Sequence, residues 1–91
     1  MKIKELLTDE SKWTQRSFAK TSSGRTVTWD DPEACCWCLA GAGRKCYGWT
    51  VWRDSIRDVI EAEINTDSVY FNDFPKRTFA EVKALVEKLD I

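Results

Sequence analysis

At 91 residues the chain can build one hydrophobic core and has too little surface to divide between two, so a single domain over residues 1–91 is expected. Hydrophobic residues make up 43% and include five Trp, four Phe and two Tyr, enough bulky apolar surface to offset chain entropy without disulfides or a structural metal. Fourteen Lys and Arg against fifteen Asp and Glu leave a formal net charge of -1, which excludes a global field that would draw nucleic acid or an anionic membrane surface.

Ile3, Leu6 and Leu7, with Glu10 on the same side and Trp13 following, predict a short first helix with one apolar stripe. From Thr14 to Trp29 the pattern changes. Phe18, Val27 and Trp29 are separated by polar residues, and Thr21-Ser22-Ser23-Gly24 is a turn cluster, which together predict a small β-hairpin. Asp30-Asp31-Pro32-Glu33 then reads as a helix start: an Asp side chain can accept from free N–H groups, Pro tolerates the first helical position, and Glu suits the positive end of the dipole. The helix so begun carries Ala34, Cys35, Trp37, Cys38, Leu39 and Ala42, nearly apolar all round, and is expected to be the most buried element, with Gly41, Gly43 and Gly48 weakening its end.

Thr50 is placed to cap a third helix, in which Trp52, Ile56, Val59, Ile60 and Ile64 recur at three- and four-residue spacing while Arg53, Asp54, Arg57, Asp58 and Glu61 cover the other face. Ser68-Val69-Tyr70-Phe71 reads as a short strand, and Asn72-Asp73-Phe74-Pro75 as a turn, because residues before Pro avoid helical geometry. Thr78-Phe79-Ala80-Glu81 is a capping box that opens a last helix with Phe79, Val82, Leu85, Val86 and Leu89 facing inward. The expected fold class is α+β, mostly helical, with about four helices and a small β-hairpin or short antiparallel sheet.

Three groups of residues are candidates for chemistry. Cys35, Cys36 and Cys38 fall within about one turn of the expected helix, with Cys46 two turns later. A redox reading uses Cys35 near the helix N-terminus, where the dipole lowers a thiol pKa, with Cys38 as the resolving partner at CxxC spacing. The alternative is that small, weakly polar thiols pack a tight helix, as the surrounding Ala, Trp and Leu suggest. The chain contains no His, and CCxC inside one helix is not the spacing of a structural zinc site, so no metal and no cofactor are expected.

Trp13, Trp29 and Trp49 sit in or beside expected loops, where they could form a binding platform or simply fill the core. Asn72, Asp73, Arg77 and Thr78 cluster at the last helix start, where free N–H groups and Arg77 could receive an anion; the other reading is a turn closed by Asn72 and Asp73 with a solvated Arg77. Cys is the only strong nucleophile and no Gly-rich phosphate loop is present, so catalysis is not expected.

Several segments in series carry a resemblance. Lys12-Trp13-Thr14-Gln15 is followed by Phe18-Ala19-Lys20 with Gly24-Arg25-Thr26-Val27. Asp31-Pro32-Glu33-Ala34 then leads into Trp37-Cys38-Leu39-Ala40-Gly41-Ala42, and Phe71-Asn72-Asp73 precedes Arg77-Thr78 and Glu81-Val82. In order and spacing the series resembles a family of short bacterial and phage proteins known only as a domain of unknown function, with GWTQG-like, WCLxGA-like and WNDxxxRTxxEV-like segments. The chain departs from that pattern with Lys12 in place of Gly, Arg16 after the Gln and Phe71 in place of Trp. The resemblance implies no activity, and it implies a bacterial or phage setting.

The N-terminus is charged and lacks a signal-peptide apolar region, and no stretch approaches the roughly 18 apolar residues of a spanning helix, so a cytoplasmic protein without a membrane partner is expected. The functional expectation is a small non-catalytic module that docks on a protein partner, itself a monomer or weak dimer, with Trp13, Trp49, Asn72, Asp73 and Arg77 as candidate binding residues. The alternative is a thiol-based redox or metal-responsive protein using the Cys35–Cys46 cluster, with Cys35 and Cys38 as its reactive pair.

Overall fold

The computed structural model describes residues 1–91. A first helix, α1 (Ile3–Leu6), and a 3-10 turn at Glu10–Lys12 precede three two-residue strands, β1 (Ala19–Lys20), β2 (Thr26–Val27) and β3 (Cys36–Trp37). Helix α2 (Leu39–Tyr47) follows. Helix α3 spans residues 49–64 and is α-helical at Trp49–Val51 and Arg57–Ile64, with a π-helical turn at Trp52–Ile56 between them. Helices α4 (Ser68–Asp73) and α5 (Phe79–Leu89) complete the chain. The fold is α+β and mostly helical, as the sequence pattern predicts.

The sheet is antiparallel with order β2-β1-β3, and Ala19 lies opposite both Val27 and Trp37. The β1–β2 hairpin forms where it was expected. Its turn closes with the Gly24 N–H donating to the Thr21 carbonyl at 2.9 Å, and Gly24 takes φ 87, a conformation that a side chain resists. A third strand joins because Asp30–Glu33 does not open a helix. The Asp31 carboxylate instead accepts from the Glu33 N–H at 2.8 Å, a local turn that returns the chain as β3 alongside β1. The expected second helix therefore begins at Leu39 rather than near Pro32, and Cys35 and Cys36 lie outside it.

Helix α2 is nevertheless the most buried element, with Leu39, Ala40, Gly41, Ala42 and Gly43 all inside. Gly41 and Gly43 do not weaken its end; they permit close approach. A Cβ on Gly41 would stand 1.9 Å from the Phe18 carbonyl oxygen, and one on Gly43 would stand 2.1 Å from the Trp52 ring. The helix stops at Gly48, whose φ of 82 breaks the geometry. Helix α3 then starts at Trp49, with no side chain capping it, so Thr50 is not its cap.

Ser68–Phe71 is helical, which corrects the expected strand. The Asp67 carboxylate accepts from the Val69 and Tyr70 N–H groups at 2.9 and 3.0 Å, and the Glu61 carboxylate accepts from the Ser68 N–H at 2.8 Å. These acceptors satisfy the first free donors of a helix and outweigh the β-preference of Val69, Tyr70 and Phe71. The capping box of α5 forms as predicted: Thr78 Oγ1 accepts from the Glu81 N–H, and the Glu81 carboxylate accepts from the Thr78 N–H at 2.9 Å.

The core gathers all of the helices. Ile3, Leu7, Leu39, Trp52, Ile60, Val82 and Val86 are fully buried, each contributing about 1.5–3 kcal/mol over an exposed side chain. Phe79 and Leu89 complete the inward face of α5 at its edges. No helix is long and apolar enough to cross a membrane.

Candidate functional site

The segment after the 3-10 turn is sewn onto α4 and the start of α2, and Asn72 is the knot. Its side chain is fully buried. Asn72 Oδ1 accepts from Trp13 Nε1 at 2.7 Å and from the Leu39 N–H at 2.9 Å, while its Nδ2 donates to the Thr14 carbonyl at 3.1 Å and to the Asp73 carboxylate at 2.9 Å. Gln15 Nε2 donates to the carbonyls of Asn72 and Phe74, and the Arg16 N–H donates to Asp73 Oδ1 at 2.9 Å. The Leu39 N–H is one of the free donors at the start of α2, so Asn72 caps that helix from 33 residues away.

Beside this knot lies a cleft of about 560 Å³. Arg16, Ser17 and Phe18 form one wall, Thr26, Val27 and Thr28 a second, and Cys38, Val69 and Asp73 complete it. Asp73 uses only Oδ1 within the chain, leaving Oδ2 toward other donors. Arg16 holds φ 66, an uncommon conformation for a residue with a side chain, and its bond to Asp73 secures it there. Phe18 and Val69 each remain 38% exposed.

The exposed apolar surface continues past Phe18. The Arg44 guanidinium lies 4.2 Å from the Phe18 ring centroid and 4.5 Å from that of Trp49, which is itself 44% exposed. Arg44 Nε is buried with no acceptor, and no carboxylate pairs with this side chain. Burial pulls the guanidinium down from its ordinary pKa, and the nearby Arg57 adds to the effect.

The candidates from the sequence divide between this face and the structure that supports it. Asp73 and Cys38 line the cleft, and Trp49 joins it through Arg44 and Phe18. Trp13 and Asn72 are bonded to each other beneath it, and Trp13 tilts against Phe79 at 6.2 Å. Arg77 is held elsewhere: its Nε donates to the Phe71 carbonyl at 2.9 Å, its plane covers the Phe71 ring at 3.7 Å, and Nη1 pairs with Glu81 at 3.0 Å. Asn72, Asp73 and Arg77 therefore do not converge on one pocket. Nothing in the sequence marked Phe18, Val69 or Arg44 as site residues, because an Arg inside an apolar helix shows its stacking partners only once they have been folded against it.

The cysteines separate as well. Cys38 is the N-cap of α2, where its sulfur accepts from the Gly41 N–H at 3.2 Å; burial pushes its thiol up to about 11. Cys46, at the other end of the helix, is also pushed up to about 11 by burial. Cys35 and Cys36 stay together at the sheet, both half-buried. No three Cys, Asp or Glu side chains converge as a metal-binding group.

The model of a family described as Family of unknown function (DUF6197) matches residues 2–89, nearly the whole chain. The chain belongs to that family. No curated protein and no solved structure matches it. The three segments that carried the family resemblance meet at one place: Trp13-Thr14-Gln15, the Leu39 end of Trp37–Ala42, and Asn72-Asp73 are all tied through Asn72. In this member of DUF6197 these residues hold the scaffold, while the exposed chemistry lies beside them.

Proposed function

We propose that this protein is a non-catalytic interaction module that docks on a protein partner through the face running from the cleft across Phe18 and Arg44 to Trp49, in a bacterial or phage-infected cytoplasm. The observation that carries the reading is Arg44, held between two exposed aromatic rings with no acceptor of its own. Trp, Tyr and Arg supply most of the binding energy in protein interfaces, and an unpaired guanidinium stacked on aromatic rings is preorganised to take a carboxylate. The cleft beside it accepts an apolar side chain between Phe18, Val27 and Val69. Two features support a docking role over thiol chemistry. Cys38 and Cys46 are protonated at neutral pH, and Cys38 lies beneath the cleft rather than at an exposed nucleophilic position. Four unpaired cysteines suit a reducing interior.

Photo-crosslinking in cells tests the proposal. A benzophenone amino acid placed at Phe18 or at Trp49 is expected to capture the same protein. The same probe at Val59, 46% exposed and outside the cleft, is expected to capture none. Arg44→Gln in the Phe18-labelled protein should reduce the adduct at least about tenfold while leaving the thermal transition in place. Equal capture from Val59, or an adduct indifferent to Arg44→Gln, would overturn the assignment.

A further inference from the structure

The sequence grouped Cys35 with Cys38; the fold groups it with Cys36. The Cys35 N–H bonds to the Lys20 carbonyl at 2.9 Å, just before β3 becomes regular, and Lys20 lies opposite Cys36 in the sheet. Cys35 Sγ donates to the Lys20 carbonyl oxygen at 3.5 Å, and Cys36 Sγ donates to that same oxygen at 3.8 Å. Two thiols on neighbouring residues thus converge on one atom, at a strand on the edge of the sheet, and both remain half-buried rather than sealed.

We propose that Cys35 and Cys36 form a chelating dithiol site for a trivalent arsenical. Soft thiolate sulfur selects soft, thiophilic centres, and two sulfurs held side by side bind such a centre in one ring, where the second bond forms at a high effective concentration. The reaction is an exchange without redox change. An organoarsenous acid, R–As(OH)2, exchanges two As–O bonds for two As–S bonds, and each displaced hydroxyl leaves with a thiol proton as water. Arsenic stays trivalent throughout. The other two thiols cannot complete such a ring: Cys38 is buried under the α2 N-terminus with its sulfur bonded to Gly41, and Cys46 lies at the far end of that helix.

The probe is phenylarsine oxide, added in its hydrated form to the reduced, folded full chain and read by native mass spectrometry. One phenylarsenic unit per chain is expected to survive an excess of a monothiol and to be removed by dimercaptopropanol. Cys35→Ser and Cys36→Ser should each weaken retention at least about a hundredfold, as loss of the second attachment requires, whereas Cys38→Ser and Cys46→Ser should retain the unit. A second measurement uses only the unmutated protein: bound arsenical should protect Cys35 and Cys36 from N-ethylmaleimide, as mapped on peptides. Protection of any other pair, no retained unit, or retention undiminished in Cys35→Ser would overturn the proposal.

Discussion

Asn72 shows how much one side chain can hold. It accepts from Trp13 and Leu39 and donates to Thr14 and Asp73, and the side chain itself is fully buried. Asn72→Ala leaves the Trp13 indole N–H, the Leu39 N–H and the Thr14 carbonyl without partners, and each unsatisfied buried group costs about 1–3 kcal/mol before local relaxation. We expect a net loss of about 3 kcal/mol, read as a lower midpoint in urea denaturation. A loss below about 0.5 kcal/mol would mean that water reaches the knot and replaces the side chain. The sequence offered Asn72 either as part of an anion site at the last helix start or as a turn residue beside Asp73, whereas its side-chain partners are all internal. Those partners lie 33 to 59 residues away, apart from its neighbour Asp73, and no local pattern encodes them.

Helices and strands divide by whether their ends are decided locally. The α5 capping box needs only Thr78 and Glu81, three residues apart, and it was legible; so was the Gly24 turn of the hairpin. The residues of α4 prefer extended structure, while one of the three side-chain bonds that support its N-terminus comes from Glu61 on another helix. The start of α2 was misplaced because the Asp31 side chain can serve a turn as readily as a helix cap. Where elements touch, glycine is the sensitive position. Gly43→Ala would gain about 1 kcal/mol of helix propensity, but its methyl group would collide with the Trp52 ring, and overpacking of this kind costs about 1–3 kcal/mol or more. The clash is expected to win, lowering the denaturation midpoint of Gly43→Ala. A higher midpoint would show that the π-helical turn around Trp52 can yield.

Across the whole molecule, the two ends of the chain are joined by charge as well as by the core. Asp90 pairs with Lys2 at 2.8 Å and Lys4 at 2.6 Å, and the Lys4 N–H donates to the Ile91 carbonyl at 3.1 Å. Hydrogen bonds from Lys2 and Lys4 hold the Asp90 carboxyl at about 2, below its ordinary 3.8. Because the folded pKa is depressed, the stabilisation is present above about pH 4 and is lost as pH falls through about 2. Asp90→Asn should therefore melt below the unmutated protein at pH 6, with the gap narrowing below pH 4 and closing near pH 2. Added salt should narrow it too, since the pair is exposed. A gap that persists unchanged at pH 2 would place the effect in helix capping rather than charge. The sequence by itself determined the class of fold, the hairpin, the amphipathic face of α5 and, apart from the exposed Val59, that of α3, because periodicity, turn residues and caps act over a few neighbours; the family came from the resemblance of its segments in series. Only the tertiary structure decided where α2 begins, that α4 is a helix, which two cysteines are neighbours, and that Phe18, Arg44 and Trp49 form one face. Each of these depends on groups brought together from distant parts of the chain, whose contacts exist only after the core has closed.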